Sequence, residues 1–350
     1  MRRIFWGLVS GLLLLAAAGT FYQWQATRRD DARFPPPGDF FAVDGLRLHL
    51  DCRGKGSPVV VLEAGLTSAS TGWLRVHDAL AEQTRVCAYD RPGLDWSAPI
   101  ARVAGAREVA DRLRDLLEAG SASPPYLLVG MSAGGIYVRE FFARFPGDVG
   151  GMVLVDSSHE EQGMRLPDPP GGVVLDPMTQ VRACSLFQPL GVIRALGLMD
   201  SAVDQLWPIE MSAREAGPIK ANANRSHNCQ ALYHEMLSFR SGLDSPFPPR
   251  SLGDLPLIVL SQGREPRAVP ELGLSVEAAR ERRAVWDALQ QELAALSTQS
   301  ERRIAEKSGH LIHLEQPALV IESVTELVTR IRLASARGPG EGGARSATSP

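Results

Sequence analysis

The sequence predicts an α/β chain, a parallel sheet covered by helices on both faces that binds its ligand at the carboxyl ends of the strands. Three observations carry this. Runs such as Val59-Val-Val-Leu62, Tyr126-Leu-Leu-Val129 and Met152-Val-Leu-Val155 are continuously apolar, as strands buried on both faces are. Segments with apolar residues at helical spacing stand between them. The composition, 350 residues of which 44% are apolar and 22% charged, with a net charge of −3, is that of a chain able to bury a large core. It excludes a collagen, a coiled coil and a disordered polyelectrolyte. With no Lys/Arg block longer than a pair, no nucleic-acid partner is expected.

The chain opens with residues 1–27, whose stretch 4–27 carries no charge and follows Arg2 and Arg3. At ~1.5 Å per residue this stretch can cross a ~30 Å hydrocarbon core, and Phe21, Tyr22 and Trp24 stand where an aromatic interfacial belt would lie. An uncleaved anchor with its N-terminus inside is the preferred reading. The alternative is a signal peptide cleaved near Ala16-Ala17-Ala18. Either one exports the body of the protein. Residues 28–39 read as a linker.

From residue 40, Phe41, Val43, Leu46, Leu48 and Leu50 flank Asp44-Gly45, which predicts a β-hairpin with His49 on its outward face. The apolar runs follow as strands, with further ones at residues 85–89 and 257–260. Val109, Leu113, Leu116 and Leu117 mark one intervening helix; Val320, Val324, Leu327, Val328 and Ile331, opened by Pro317, mark the last. Residues 157–250, rich in Pro, Met and Arg, break the rhythm and read as a cap inserted between two strands of a core formed by 40–156 and 251–334. Residues 335–350 offer no apolar face and read as a disordered tail. Cys52, Cys87, Cys184 and Cys229 are an even number in an exported chain, which makes disulfides plausible among three connectivities.

The chemistry centres on Gly130-Met131-Ser132-Ala133-Gly134, a G-x-S-x-G between an apolar strand and a helical pattern. Small residues flank the serine because such a turn is strained and another backbone passes close by. The helix N-terminus after it aims the Ala133 amide at a developing oxyanion. A second amide, that of Leu66, is expected from Glu63-Ala64-Gly65-Leu66.

A serine hydroxyl needs a base and the base an orienting acid. His310, in Ser308-Gly309-His310 past the last strand, is the expected base, with His313 in reserve. His49, His77, His159, His227 and His234 read as surface or packing residues. Two acids satisfy the order serine, acid, histidine: Asp156, immediately at a strand's end, and Glu265, in a loop beside Arg264. Asp156 is preferred for its rigid placement.

Glu63-Ala-Gly-Leu66, Tyr89-Asp-Arg-Pro-Gly-Leu-Asp-Trp-Ser97, Val129-Gly-Met-Ser-Ala-Gly-Gly135, Val153-Leu-Val-Asp156 and Ser308-Gly-His310, taken in order, resemble the α/β-hydrolase superfamily. Within it they resemble the branch of exported or membrane-anchored bacterial serine hydrolases whose acid follows the sixth strand rather than the seventh. The resemblance implies an α/β-hydrolase fold with an eight-stranded sheet, a cap between strands six and seven, and a Ser132–His310–Asp156 triad. It also makes the strands of Cys52 and Cys87 neighbours, which implies that bridge and leaves Cys184 with Cys229 in the cap. Met131 and Ala64 depart from the histidines common at those positions and make the pocket less polar.

A serine at the elbow, where haloalkane dehalogenases and epoxide hydrolases place a carboxylate, implies acyl chemistry on a small-molecule ester or acylated substrate, without cofactor or metal. Other functions compete: acyl transfer or amide hydrolysis by the same triad, a membrane-anchored binding protein that keeps the fold without turnover, and a metal site of His227, Cys229 and His234, whose spacing matches no common zinc pattern.

Overall fold

Every apolar run forms a strand of one sheet. The computed structural model describes residues 1–99, 101–102, 104–167, 176–207, 209–244, 251–268 and 274–337. Its strands are β1 (Asp39–Val43), β2 (Leu46–Arg53), β3 (Val59–Glu63), β4 (Val86–Tyr89), β5 (Tyr126–Met131), β6 (Val149–Val155), β7 (Leu257–Gln262) and β8 (Ser300–Ala305). They lie in the order β1-β2-β4-β3-β5-β6-β7-β8, the first two antiparallel to their neighbours and the rest parallel, as the α/β-hydrolase fold requires.

Long helix α1 (Arg2–Arg33) precedes the sheet, and α2 (Leu74–Ala81), α3 (Ala106–Ala119) and α4 (Gly134–Arg144) connect its strands. Between β6 and β7 the insertion expected as a cap, and called the cap below, contributes α5 (Gln162–Arg165), α6 (Pro177–Phe187), α7 (Val192–Ala195), α8 (Leu198–Leu206), α9 (Ala213–Ala223) and α10 (Asn228–Asp244). The core resumes with α11 (Val276–Ala294), α12 (Ile312–Glu315) and α13 (Pro317–Arg337). Alternate strand residues serve opposite faces. Val59, Val61 and Leu128 pack with Leu113, Leu117 and Phe141 of α3 and α4. Val60, Leu62 and Val129 pack with Val76 and Leu80 of α2 and Val324 and Leu327 of α13.

Two disulfides are present. Cys52 and Cys87 are directly opposed on β2 and β4, and Cys184–Cys229 joins α6 to α10 in the cap.

Three expectations change. Residues 28–33, read as linker, are the last turns of α1, because Asp30 and Asp31 pair with Arg194 (2.5 Å) and Arg225 (2.6 Å) of the cap. Residues 335–337, assigned to the tail, continue α13, where Ser335 donates to the Ile331 carbonyl; residues 338–350 lie outside the described residues. His49 does not face outward into solvent. The loop after β4 covers that face of the hairpin, and His49 is buried with Nδ1 2.7 Å from Asp90 and its ring against Trp96.

Candidate active site

Adjacent strands β5 and β6 are each followed directly by a residue at positive φ, Ser132 at 51° and Asp156 at 41°. Side chains rarely adopt this region, so the sheet on either side must hold the conformation. It does so by hydrogen bonds: the Ser132 amide donates to the Val155 carbonyl (3.1 Å) and the Asp156 amide to the Leu260 carbonyl (2.7 Å). The glycines around the serine make room for it. A Cβ on Gly134 would lie 2.5 Å from the Glu63 carbonyl oxygen, and one on Gly130 would lie 2.7 Å from the Gly134 carbonyl oxygen.

His310 reaches the pair from the loop between β8 and α12. Its Nε2 lies 3.0 Å from Ser132 Oγ and its Nδ1 lies 2.7 Å from Asp156 Oδ2. The other carboxylate oxygen of Asp156 accepts from the Gln262 amide and from Trp286 Nε1, each at 3.0 Å, and the Trp286 ring stands edge-on to His310 at 5.8 Å. Asp156 is wholly buried, so these donors satisfy a carboxylate that water does not reach. Glu265 stands exposed on a cavity wall, and its carboxylate makes no hydrogen bond to His310. His313 is buried against the Trp73 ring (4.8 Å), and burial, with the nearby His310 charge, lowers its pKa to about 3.

The loop carrying Leu66 lies against the elbow: a Cβ on Gly65 would meet Ser132 Cβ at 3.3 Å. Among the described residues, neither the Leu66 nor the Ala133 amide is spent on a hydrogen bond. Arg91 holds this loop from beneath. Its guanidinium donates to the carbonyls of Ala64 (2.9 Å), Gly65 (2.7 Å) and Ser68 (3.1 Å), to Glu63 (2.6 Å), and to Glu235 of the cap helix α10 (2.6 Å). Glu235 also accepts from the Thr67 amide at 2.8 Å. Burial raises the Glu63 pKa to about 6 against the pull of Arg91 and of the Tyr89 hydroxyl. Burial works against the Arg91 charge, and the carboxylates of Glu235 and Glu63 outweigh it. Sequence reasoning missed Arg91, Glu235, Gln262 and Trp286. Arg91 lies within the stretch 89–97, where nothing in the sequence marks its role; the others carry no local signal.

Ser132 and His310 lie where two cavities meet. One, of about 310 Å³, runs under the cap between Met131, Met199, Val203, Leu206, Ile219 and Leu232. The other, of about 480 Å³, opens past Phe239 and Trp286 and is rimmed by Arg264, Arg267, Arg282 and Arg283. Leu66 borders both. His227 and His234 border a separate small recess, and Cys229 is tied to Cys184, so no thiolate is left for a metal there.

The profile of the family described as "Alpha/beta hydrolase family" matches residues 59–323. An "AB hydrolase superfamily protein" of Gibberella zeae is 25% identical over 309 residues, spanning 83% of this chain and 94% of that protein. An uncharacterized protein of Schizosaccharomyces pombe is 31% identical over 160 residues, 37% of this chain, and the match spans only 30% of its own length. Among solved structures, a probable hydrolytic enzyme of Pseudomonas aeruginosa PAO1 superposes with a TM-score of 0.63 at 18% identity, over 84% of this chain and 95% of that one.

Proposed function

The chain belongs to the alpha/beta hydrolase family, and from that premise we propose that it is a serine hydrolase that cleaves a carboxylic ester through an acyl-enzyme on Ser132. One observation carries the reading: a serine at a strained strand-to-helix turn, 3.0 Å from a histidine nitrogen whose other nitrogen is 2.7 Å from a buried carboxylate. His310 takes the Ser132 proton as Oγ attacks the ester carbonyl, and later returns it to the leaving alcohol. Asp156, fixed by Gln262 and Trp286, keeps the Nδ1 proton of His310 in place and stabilises the imidazolium. The Ala133 and Leu66 amides receive the charge on the carbonyl oxygen. Water, activated by His310, then releases the acid. A serine in place of a carboxylate at the elbow, beside an apolar cavity, favours acyl transfer to water over epoxide or halide chemistry.

In this reading residues 157–250 are the cap over a hydrolase core of 40–156 and 251–334. Helix α1, apolar enough to cross a membrane, anchors the enzyme on the outer side of the cytoplasmic membrane, where its two disulfides are stable. The test is labelling of detergent-solubilised protein by a fluorophosphonate, wild type against Ser132→Ala. Labelling confined to the wild type is expected. A folded wild type that stays unlabelled overturns the reading.

A further inference from the structure

Where the cap touches α1 decides how deep the cap sits. The backbones meet at Gly19 and Gly191: a Cβ on Gly19 would overlap the Leu190 carbonyl, and one on Gly191 would lie 2.7 Å from the Gly19 carbonyl oxygen and 3.0 Å from the Tyr22 ring. Gly191 also has φ at 72°, so glycine is required there twice over. Higher on α1, Gln23 donates to the Asn224 carbonyl (2.6 Å) and Asp30 pairs with Arg194 (2.5 Å). The cap is therefore fixed to α1 over several turns, and its backbone meets the helix as far down as Gly19. At ~1.5 Å per residue that point is about 7 Å below Trp24, inside the apolar stretch.

If α1 spans a bilayer with Trp24 at the interface, the cap segment around Leu190 enters the hydrocarbon, at the ~5–10 Å depth of a monotopic surface. Its residues suit that place. Leu186, Phe187, Val192 and Leu196 flank the contact and are 67, 49, 40 and 65% exposed. Between residues 186 and 199 the only charged side chain is Arg194, and it turns inward to Asp30 and Gln23 of α1. Gln188 is likewise buried, spent on the Ala223 carbonyl and the Cys229 amide. Water-facing loops do not hide their polar groups and expose their leucines; a lipid-facing one does.

We propose that the turn between α6 and α8 is seated in the outer leaflet of the membrane that α1 crosses, and that the enzyme draws bilayer-dissolved lipid esters into the apolar cavity beside Ser132. The cavity reaches the same part of the cap: Met199, in the first turn of α8 beside the exposed Leu198, lines it, and Leu206 at the other end of that helix lines it too and is 73% exposed. An acyl chain can pass from lipid to Met199 and Val203 without crossing water. The substrate class rests on the ester-hydrolase reading; the seating does not.

The test uses the full chain in phosphatidylcholine vesicles. All four cysteines are paired, so Phe187→Cys and Leu196→Cys each supply a single thiol for an environment-sensitive fluorophore, with Lys55→Cys on an exposed turn as the aqueous reference. A shallow spin-labelled lipid is expected to quench the probes at 187 and 196 at least threefold more than the one at 55. Equal quenching overturns the seating. The Phe187→Asp/Leu196→Asp pair, and separately Gly19→Leu, which lifts the cap from α1 but keeps its surface, are each expected to lower turnover of a long-chain fluorogenic ester dissolved in the vesicles at least tenfold. Turnover of soluble p-nitrophenyl butyrate stays within twofold. Loss of both substrates, or of neither, overturns delivery from the bilayer. Should the wild type hydrolyse neither ester and take no fluorophosphonate, the hydrolase reading fails and the substrate class with it, while quenching still decides the seating.

Discussion

The two sides of the site are held by different forces. On the sheet side, Ser132 and Asp156 sit one residue past neighbouring strands, and their amides prolong the hydrogen-bond ladder of β5, β6 and β7. On the cap side the described residues form no strands. Helices are tied to the core by side chains: Glu235 to Arg91, Glu215 to Arg75 (2.7 Å), and Arg194 to Asp30 of α1. A buried ladder defines position to a fraction of an ångström, whereas long side chains tolerate displacement. In the proposed function the sheet side carries the chemistry and the cap side controls access, and substitutions on the two sides should separate accordingly.

The largest effects belong to the sheet side. Ser132→Ala and His310→Ala are each expected to lower kcat by about 10⁴–10⁶-fold, and Asp156→Asn by about 10⁴-fold. For Ser132→Ala the thermal midpoint stays within a few degrees of wild type, because the hydroxyl is not part of the core. Glu265→Gln, on an exposed loop, changes kcat less than twofold. Steady-state kinetics on p-nitrophenyl butyrate decide this; a larger loss for Glu265→Gln than for Asp156→Asn would move the orienting acid to the loop after β7 and break the assignment.

Arg91 joins the two sides, and Arg91→Lys tests whether it positions the oxyanion loop. Lysine keeps the charge near Glu63 but cannot reach three carbonyls and two carboxylates from one planar fork. A fall in kcat of about 10–100-fold is expected, somewhat less than the ~10²–10³ that follows outright loss of an oxyanion donor. Fluorophosphonate labelling should slow in parallel. A lowered thermal midpoint with unchanged labelling would reduce Arg91 to a structural ion pair.

What the sequence made legible follows the same division. The central strands announce themselves as apolar runs because both faces are covered, and Ser132 and Asp156 are recognisable because each directly follows such a run, while His310 is marked by Ser308-Gly309-His310 in the loop after the polar strand β8. Asp156 is preferred over Glu265 for that rigidity, and it is the acid that stands 2.7 Å from His310 Nδ1 in the reading proposed above. Arg91 was invisible because its partners are backbone carbonyls and a glutamate 144 positions away, and no spacing rule encodes those. His49 misled for a related reason: strand alternation gives the face but not what later covers it, here the loop ending in Trp96 and Ser97. The end of α1 was missed because the charges that mark a linker, Asp30 and Asp31, are neutralised by arginines of the cap.

The smallest effect compares a buried histidine of the core with a half-buried one of the cap. Burial lowers the pKa of His313, beside the site, to about 3, and that of His227, in the cap, to about 4. In the unfolded chain both titrate near 6.5, so as pH falls through that value the unfolded state takes up protons that the native state refuses. Their contributions to stability are thus complete above about pH 6.5 and are lost progressively as pH falls towards the folded-state values. At pH 5 each has lost about 2 kcal/mol. His313→Gln should flatten the dependence of the urea midpoint on pH between 6.5 and 5. His227→Gln should do the same only if the cap unfolds together with the sheet. A flattening with His313→Gln and none with His227→Gln would mean that the cap opens before the sheet, the behaviour that side-chain tethering over a rigid ladder implies.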